Sequence, residues 1–323
     1  MITYYALRHG TLQRQDVHDL SSIPEGVLWI DLMCPTADEE HFVESSLGVK
    51  IPTREEMAEI EDSSRFYEDS GTLYLTPTVI SGISEGTPES EELFFVIGQS
   101  ILVTVRYAEM TAIRSFPTRV GRQPERHRSA DAIFASLVDA FIDRIADTLE
   151  DMQTQLTRLS ERIFREPNGN HEEGELQRVI KHLGRHNALL SMLSESLLTF
   201  GRLITFTRLG KKEWLGEQAR ASLKAVERDL RALSVYQDRM SGEIAFLLDL
   251  TLGLINIEQN NIIKVFSIAA VLFLPPTLVG TIYGMNFEIM PELKWTYGYP
   301  LALGAMVASA ALSYTVFKIK RWL

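Results

Sequence analysis

The chain has 323 residues, of which 45% are hydrophobic and 23% are charged, and its formal net charge is −11. This charge is unevenly divided: residues 1–257 carry 27 Lys and Arg against 40 Asp and Glu, a net of −13, whereas residues 258–323 carry 5 against 3, a net of +2. So acidic a body argues against a nucleic-acid-binding protein, which needs clustered basic side chains for phosphates. A single cysteine, Cys34, excludes an internal disulfide and a Cys-x-x-Cys zinc or redox site.

Residues 1–128 are predicted to form a mixed α/β domain. Short apolar or alternating runs, bounded by Gly, Pro, Ser and acidic residues, indicate strands at 27–30, 72–75, 93–97 and 101–105. Residues 98–100 would form a hairpin turn between the last two strands, and residues 35–47 and 53–62 are interpreted as short helices. The N-terminus lacks a basic start followed by an apolar core, so it is not expected to be a signal peptide.

Helical periodicity dominates after Pro124. Apolar residues recur at helical spacing over 129–166, a break is predicted at Pro167-Asn168-Gly169, and a second helix is expected at about 172–207. From residue 213 apolar residues alternate at steps of three and four, and no proline occurs before Pro275, which predicts a third helix from about 212 to 283. At 1.5 Å per residue this helix would be about 100 Å long. Such a rod can carry a rearrangement of a soluble domain to a membrane.

Two uncharged runs near the C-terminus, residues 265–287 and 295–317, each contain 23 residues. Each is long enough to cross a hydrocarbon core of about 30 Å. Only seven residues separate them, so they form a hairpin with both ends on one side. The bias of basic residues toward the cytoplasm, here Lys264, Lys318, Lys320 and Arg321, predicts a multi-pass protein of the cell (inner) membrane, surrounded by lipid, with both termini cytoplasmic.

The predicted domains follow from these elements. They are a cytosolic α/β domain at 1–128, a cytosolic helical hairpin at 129–211, a long stalk helix at 212–262 and a transmembrane hairpin at 263–323.

Two spans from one chain cannot enclose an aqueous path, so conduction would require a ring of several copies. The three-four spacing continues into the first span as a stripe of neutral polar and apolar residues without a carboxylate. Neutral oxygens in such a stripe suit a strongly hydrated cation such as Mg²⁺, which gives up its water reluctantly. Ser and Thr in a span also serve helix packing, and the stripe alone leaves both interpretations open. The stripe consists of Asn256, Asn260, Ile263, Ser267, Ala270, Leu274, Thr277 and Thr281.

The connection between the spans, residues 283–295, is more specific. It places Asn286 at the membrane edge and the carboxylates of Glu288 and Glu292 toward the external water. Repeated around a ring, Asn286 would present a circle of amide oxygens, and the carboxylates would raise the local cation concentration. The alternative is an ordinary polar turn with solvated carboxylates.

This connection and its flanking spans resemble the CorA family of divalent-cation transporters. The resemblance rests on Gly284-Met285-Asn286 directly after a span, on Met-Pro-Glu-Leu-Lys-Trp at 290–295, and on Lys-Arg-Trp-Leu at 320–323. Phe266 and the run Phe-Leu-Pro-Pro-Thr-Leu at 273–278 are similar to the family's first span. The close match covers about residues 256–323, and the upstream segments agree in order and length.

The resemblance implies a CorA-like fold: an α+β cytosolic domain with a mixed sheet and flanking helices, a long stalk helix and a two-helix transmembrane hairpin. It further implies a homopentameric channel for Mg²⁺, also passing Co²⁺ and Ni²⁺, that is not an enzyme and uses no organic cofactor. Influx would be driven by the membrane potential, and cytosolic Mg²⁺ would close the channel as a regulatory ligand.

The resemblance also assigns residues. Gly284, Met285 and Asn286 would form the selectivity motif, and Glu227 and Asp229 of the stalk are the expected ligands of the regulatory metal. The residues expected to line the path are Asn260, Ile263, Phe266, Leu274, Thr277 and Thr281.

Two other functions compete with this assignment. One is a Zn²⁺ transporter of the family's zinc branch, with or without proton coupling; that branch often has Val at the middle of the tripeptide, so Met285 favours Mg²⁺. The other is a membrane-anchored sensor or interaction protein without transport, which the specific outer loop and the polar stripe disfavour.

Three weaker patterns have ordinary explanations. Residues 82–86 match G-x-S-x-G around Ser84, but a strand is expected to follow, so a polar loop is favoured over a hydrolase elbow. His182 and His186 lie four apart on a helix, where an exposed face is favoured over a shared metal. The sequence contains no Gly-x-x-x-x-Gly-Lys-Ser/Thr stretch, so nothing indicates ATP-driven transport.

Overall fold

The computed structural model describes residues 1–8, 11–17, 20–57, 59, 61–122, 124–165, 174–209, 214–286 and 290–320. Its contacts divide the chain into two compact units. We call the first, residues 1–165 and 177–248, the body, and the second, residues 166–176 and 249–323, the C-terminal unit.

The body contains a mixed eight-stranded sheet. Its strand order is β2-β1-β3-β8-β7-β5-β4, with β6 paired to β7 off this path. The pair β3–β8 is parallel, and the other pairs are antiparallel. The strands are β1 Ile2–Arg8, β2 Thr11–Asp16, β3 Val27–Met33, β4 Phe66–Asp69, β5 Thr72–Leu75, β6 Thr78–Ser81, β7 Glu89–Ile97 and β8 Leu102–Arg106. The mixed sheet and the four predicted strands are confirmed, whereas β1, β2, β4 and β6 were not predicted.

The helices are α1 Ala37–Leu47, α2 Arg54–Met57, α3 Asp62–Arg65, α4 Thr111–Arg122, α5 Ala130–Arg165, α6 Glu175–Leu209, α7 Glu217–Tyr283 and α8 Gly298–Ile319. Helix α1 begins with a capping box, in which Thr36 and Glu39 each bind the other's backbone N–H, and ends at Gly48 with φ +66°. The single helix predicted at 53–62 is wrong, because this stretch contains the short helix α2 and only the start of α3.

Trp29 of β3 is fully buried and packs among aromatic side chains. Its ring stacks on Tyr5 with 3.9 Å between centroids and meets Phe116 edge-on at 5.5 Å. Its indole Nε1 donates to Thr104 Oγ1 at 2.9 Å, and that hydroxyl donates to Asp31 Oδ1 at 2.7 Å. These hydrogen bonds tie the two parallel strands β3 and β8 together across the sheet.

Among the described residues, three helices are long and apolar enough to cross a membrane, namely α6, α7 and α8. Of the most apolar window of α6, 44% is buried, whereas the windows of α7 and α8 are 0% buried. Helix α6 is bonded to the sheet, because Ser196 Oγ donates to Thr78 O at 2.8 Å and Thr78 N donates to Thr199 Oγ1 at 3.0 Å. The apolar face of α6 therefore packs within the body, whereas α7 and α8 contain the two apolar segments that the sequence predicts to be membrane spans.

Helix α7 is continuous over 67 residues, as the uninterrupted apolar spacing predicts. It begins at Glu217 rather than at about 212, after Gly216, whose N–H is accepted by Asp131 Oδ2 at 2.8 Å. It ends at Tyr283 and contains Pro275 and Pro276. Residues 217–248 of this helix belong to the body and residues 249–283 to the C-terminal unit.

Candidate cation path

Within the C-terminal unit, the apolar part of α7 has two unlike faces. One face is half-buried, and at Gly280 it approaches α8 so closely that a Cβ would lie 2.9 Å from Met306 Cε. The half-buried residues are Ile268, Ala269, Val271, Leu272, Pro275, Pro276, Val279, Gly280 and Tyr283. The opposite face of α7 is exposed, and we call it the open face.

The residues predicted to line a cation path all lie on the open face. Ile263 is 59% exposed, and Phe266 and Leu274 are each 72% exposed. At 100° per residue the six predicted positions fall within a sector of about 120°, opposite the face that α8 covers. The exposed set is Asn260, Ile263, Phe266, Leu274, Thr277 and Thr281.

The two threonines of the open face have fixed hydroxyl hydrogens. Thr277 Oγ1 donates to Phe273 O at 2.7 Å, and Thr281 Oγ1 donates to Thr277 O at 2.8 Å. A hydroxyl that donates to a carbonyl retains only its lone pairs for other partners. Water bound to a cation directs its hydrogens outward, so these oxygens are suited to accept hydrogen bonds from a hydrated cation.

The predicted selectivity motif, residues 284–286, follows the last turn of α7. Gly284 N donates to Gly280 O at 3.0 Å and to Thr281 O at 3.2 Å, which tightens the helix end. A Cβ at position 284 would lie 3.2 Å from Gly280 O, so a larger residue would crowd this turn. Met285 is 45% exposed, and Asn286 is exposed. The structure thus places Asn286 just beyond the helix, free of the helical backbone.

The two loop carboxylates are only partly described. Glu288 lies outside the described residues. Glu292 is part of a single 3₁₀ turn, Pro291–Lys294, and its side chain also lies outside the described part of the chain. Next to this turn Trp295 and Tyr297 meet edge-on with 6.1 Å between ring centroids, at the position expected for interfacial anchors.

The predicted regulatory ligands lie in the body part of α7. Glu227 accepts hydrogen bonds from Arg208 of α6 and, at 2.6 Å, from Arg231, so both of its oxygens are engaged by guanidinium groups. Asp229 is exposed. Within the described ranges, no group of three or more His, Cys, Asp and Glu side chains is arranged to hold a metal ion. The single chain therefore does not bring Glu227 and Asp229 together as a metal site.

The carboxyl group of Asp139 on α5 is affected by the charge of Asp229. Burial raises the pKa of Asp139, and the neighbouring carboxylates of Asp143 and Asp229 raise it further, while Arg119 opposes them. Arg119 pairs with both Asp139 and Asp143, the latter at 2.7 Å. This stretch of α5 and α7 is consequently a place where negative charge is concentrated and partly neutralised by an arginine.

The weaker sequence patterns have structural explanations. Ser84 lies in a 3₁₀ turn between β6 and β7, not between a strand and an α-helix, and Gly82 and Gly86 adopt φ of +67° and +78° in that turn. The ring nitrogens of His186 contact His182 O at 2.7 Å and Gln155 Oε1 at 3.1 Å, so this histidine is occupied by protein groups.

Sequence reasoning missed Gly280 as a position where α7 lies close to α8. The signal was present, because Gly280 lies in an apolar helix and Gly284 follows four residues later, just after the helix ends, a spacing of small residues that is typical of close helix contacts.

The fold and the candidate path define a membrane protein with an α+β body and one helix that continues from the body into an apolar segment with an open polar stripe. The family model described as "CorA-like Mg2+ transporter protein" matches residues 24–321. The chain is 34% identical over 325 residues to "Magnesium transport protein CorA" of Salmonella typhimurium and of Escherichia coli K12, with 100% of both sequences covered. The chain belongs to this CorA-like family, as the resemblance predicts.

Solved structures confirm the CorA-like fold. The CorA magnesium transporter from Methanocaldococcus jannaschii matches with a TM-score of 0.78 and 17% identity, covering 100% of this chain and 99% of that chain. The soluble domain of the same transporter matches with a TM-score of 0.64 and 14% identity, covering 79% of this chain and 97% of that chain. The mixed sheet, the long helix and the C-terminal helices are thus a shared architecture.

Proposed function

We propose that this chain is one subunit of a homopentameric channel that admits Mg²⁺ to the cytoplasm and also passes Co²⁺ and Ni²⁺. The observation that carries the proposal is the open face of α7, where six predicted path residues are exposed together on the side opposite α8. The two curated relatives compared above are named magnesium transport proteins, which favours Mg²⁺ as the principal cargo.

The exposure of this face supports an assembly of several copies. Phe266 and Leu274 are each 72% exposed, and polar groups alternate with them, so the open face suits neither lipid alone nor a dry helix contact. A ring of copies would turn these faces inward and enclose a path. Asn286 would then form a circle of amide oxygens at the outer mouth, where Glu288 and Glu292 attract cations.

The driving force and the closing signal are part of the same proposal. With both termini in the cytoplasm, a divalent cation gains about 4.6 kcal/mol per 100 mV of inside-negative potential, twice the value for one charge. Residues 1–257 carry −13 per copy, so the bodies repel one another until cytosolic cations bind between them. Glu227 and Asp229 are the proposed ligands, and Glu227 would exchange its arginine partners for the metal.

The division of the chain supports this arrangement. The proposed cytosolic α/β domain at 1–128 and helical hairpin at 129–211 would sense the cation, and the stalk at 212–262 would connect them to the hairpin at 263–323. The proposed location is the inner membrane.

The test is ion uptake into proteoliposomes by the full-length chain and by Asn286→Ala. We expect Asn286→Ala to change Mg²⁺ uptake or its selectivity over Co²⁺ and Ni²⁺ by about tenfold or more, the equivalent of losing about 1.4 kcal/mol of recognition. Asn261→Ala is a matched control, because Asn261 is an exposed asparagine like Asn286 but lies on the side of α7 away from the open face by helical spacing.

The same assay separates the competing functions. Uptake is measured for Mg²⁺, Co²⁺, Ni²⁺ and Zn²⁺, with and without an inside-negative potential and a pH gradient. Equal uptake by Asn286→Ala and the unaltered chain would remove Asn286 from the selectivity role. No uptake of any of the four ions would favour the anchored sensor, and Zn²⁺ uptake that needs a pH gradient would favour the zinc transporter.

A further inference from the structure

Near its start, helix α7 has two unlike sides within the body. On one side it lines a cavity together with α5, and on the other side it lines a groove together with α6. At 100° per residue, the two sets of α7 residues point about 180° apart. The set facing α5 is Gln218, Ser222 and Ala225, and the set facing α6 is Glu227, Arg231 and Ser234.

The side of α7 that faces α5 adjoins a row of carboxylates. Asp139, Asp143, Asp147 and Glu150 follow one another at steps of four, four and three, so they lie on one face of α5. Asp229 of α7 belongs to the same surface, because its charge raises the pKa of Asp139. We call these five residues the acidic face, and all except the half-buried Asp139 are exposed.

The acidic face keeps a surplus of negative charge. Arg119 pairs with Asp139 and Asp143, and Arg126 lines the adjoining cavity. The other three carboxylates form no ion pair among the residues that the structure describes. Two arginines therefore compensate five carboxylates only in part.

The opposite side of α7 carries a row of cations with the same spacing. The α7 members of this row follow one another at steps of four, four and three, and all four are exposed. Arg208 of α6 joins them, because it and Arg231 both bind Glu227. Glu217 and Glu227 are the acidic residues on this side of α7, so cations predominate. We call this row the basic face, and it consists of Arg208, Arg220, Lys224, Arg228 and Arg231.

An apolar groove of about 630 Å³ adjoins the basic face and is lined by α6, α7 and β4. It leaves Leu198 and Leu209 of α6 exposed by 55% and 78%. Exposed leucines bordered by arginines are typical of a surface that contacts another protein.

A second copy of this chain has the charges that fit the basic face. Because the two faces lie on opposite sides of α7, the basic face of one copy can meet the acidic face of the next, and each copy keeps one face for a further copy. A heterologous contact of this kind produces a ring when the rotation closes. A twofold contact through either face would instead bring like charges together.

We propose that neighbouring copies of this chain meet head to tail, with the basic face of one copy against the acidic face of the next. The proposal rests on the proposed function, which requires several copies, and it identifies the surfaces of the body that join them. The body as a whole carries −13, so the basic face supplies a local attraction that the net charge opposes.

The experiment is cross-linking of the full-length, detergent-solubilised chain with a carbodiimide, which joins an amine directly to a carboxylate in contact with it. Lys224 is the lysine of the basic face. We expect covalent multimers on a denaturing gel that continue beyond the dimer, and mass spectrometry should link Lys224 to a carboxylate of the acidic face. Multimers that stop at the dimer would overturn the proposal.

Lys224→Arg tests the position of this cross-link. It keeps the charge and removes the reactive amine, so it should lose most of the multimers. Lys181→Arg is the matched control, because Lys181 is an exposed lysine of α6 that does not line the groove. Equal multimer yields from these two variants would contradict the proposed contact.

Asp147→Arg tests the acidic face. It reverses one charge at an exposed position, so the yield of multimers through Lys224 should fall by about threefold or more. Glu25→Arg is its control, because Glu25 is an exposed carboxylate outside the acidic face. A yield from Asp147→Arg that matches that of Glu25→Arg would mean that the acidic face is not part of the contact.

Light scattering on the same samples separates this proposal from the proposed function. A homopentamer that forms no cross-link through Lys224 would overturn these surfaces and leave the proposed function intact. A chain that stays a single copy would overturn the proposed pentamer and this contact together.

Discussion

Asp31 and Arg106 form an ion pair inside the sheet, with side chains 3% and 6% exposed. Two guanidinium nitrogens of Arg106 donate to Asp31 Oδ2 at 3.0 and 3.1 Å, and its Nη1 donates to Ala108 O at 2.9 Å. Burial opposes the charge on Arg106, but the charges and hydrogen bonds of Asp31 and Glu109 together outweigh it and raise the pKa of Arg106. The pair is fully hydrogen-bonded, and it joins the parallel strands β3 and β8.

We expect Arg106→Met to lower the free energy of unfolding by about 3–5 kcal/mol, because Asp31 would remain buried as an unpaired charge. The double variant Asp31→Leu with Arg106→Met should lose less than the single variant, since no charge is then left behind. Denaturant unfolding of the solubilised chain measures both. Arg158→Gln, at an exposed position, should change the value by no more than about 0.5 kcal/mol, and a similarly small effect of Arg106→Met would contradict the prediction.

The sequence predicted where some functional residues lie along the helices, but it did not predict their side-chain contacts. The run that ends at Tyr283 and the Gly284 that follows it predicted that Asn286 would stand just beyond a helix, and the structure places it there. The ion pair of Arg208 with Glu227 was not predictable, because it joins two helices and depends on how α6 packs against α7. Glu227, which the sequence suggests as a metal ligand, is therefore paired with arginine in the structure.

Within the C-terminal unit, α7 lies close to α8 at Gly280. A Cβ at Gly280 would come within 2.9 Å of Met306 Cε, the flexible end of a side chain. Alanine at position 280 can thus be accommodated by a small movement of Met306, whereas a branched or long side chain would push the helices apart.

We expect Gly280→Leu to lower the stability of the solubilised chain by about 1–3 kcal/mol, the usual cost of overpacking, and to reduce ion uptake as α8 is displaced. Thermal unfolding and the uptake assay measure the two effects. Gly253→Leu on the same helix is the control, because a Cβ there meets nothing within 4 Å.

Adding Met306→Ala to Gly280→Leu should restore most of the loss, since it removes the atom that the new side chain meets. Failure of this rescue, or an equal loss in Gly253→Leu, would show that helix contact at Gly280 does not set the position of α8.

Long periodic elements were predictable, and short or polar ones were not. The apolar spacing over α5, α6 and α7 is a property of each segment alone, so these helices were found within a few residues of their ends. Strand β2, with the sequence Thr-Leu-Gln-Arg-Gln-Asp, is polar and is recognisable only through its pairing with β1. Helix α4 contains Pro117, which is unfavourable within a helix, so its local sequence argues against the structure it adopts.

In the single chain, the open face of α7 has no other helix packed against it among the described residues. The charge is divided along the chain, with −13 before residue 258 and +2 after it, and basic residues at the ends of two apolar helices are typical of membrane-spanning segments. The number of copies in a ring depends on the angle at which neighbouring copies meet, so it does not follow from the sequence or from the structure of one chain.

Mixed assemblies of the unaltered chain with Asn286→Ala provide a count of the copies that share one path. If five copies contribute to each path and one altered copy is enough to block it, an equal mixture should retain about one thirty-second of the uptake. In a plot of the logarithm of uptake against the logarithm of the unaltered fraction, the slope should then be about five. Co-expression with two tags, purification and uptake at several ratios measure this slope. Mixtures with Asn261→Ala should show no loss at any ratio. Uptake that falls only in proportion to the unaltered fraction would mean that each chain conducts alone, and the open face of α7 would then have to be explained by contact with lipid.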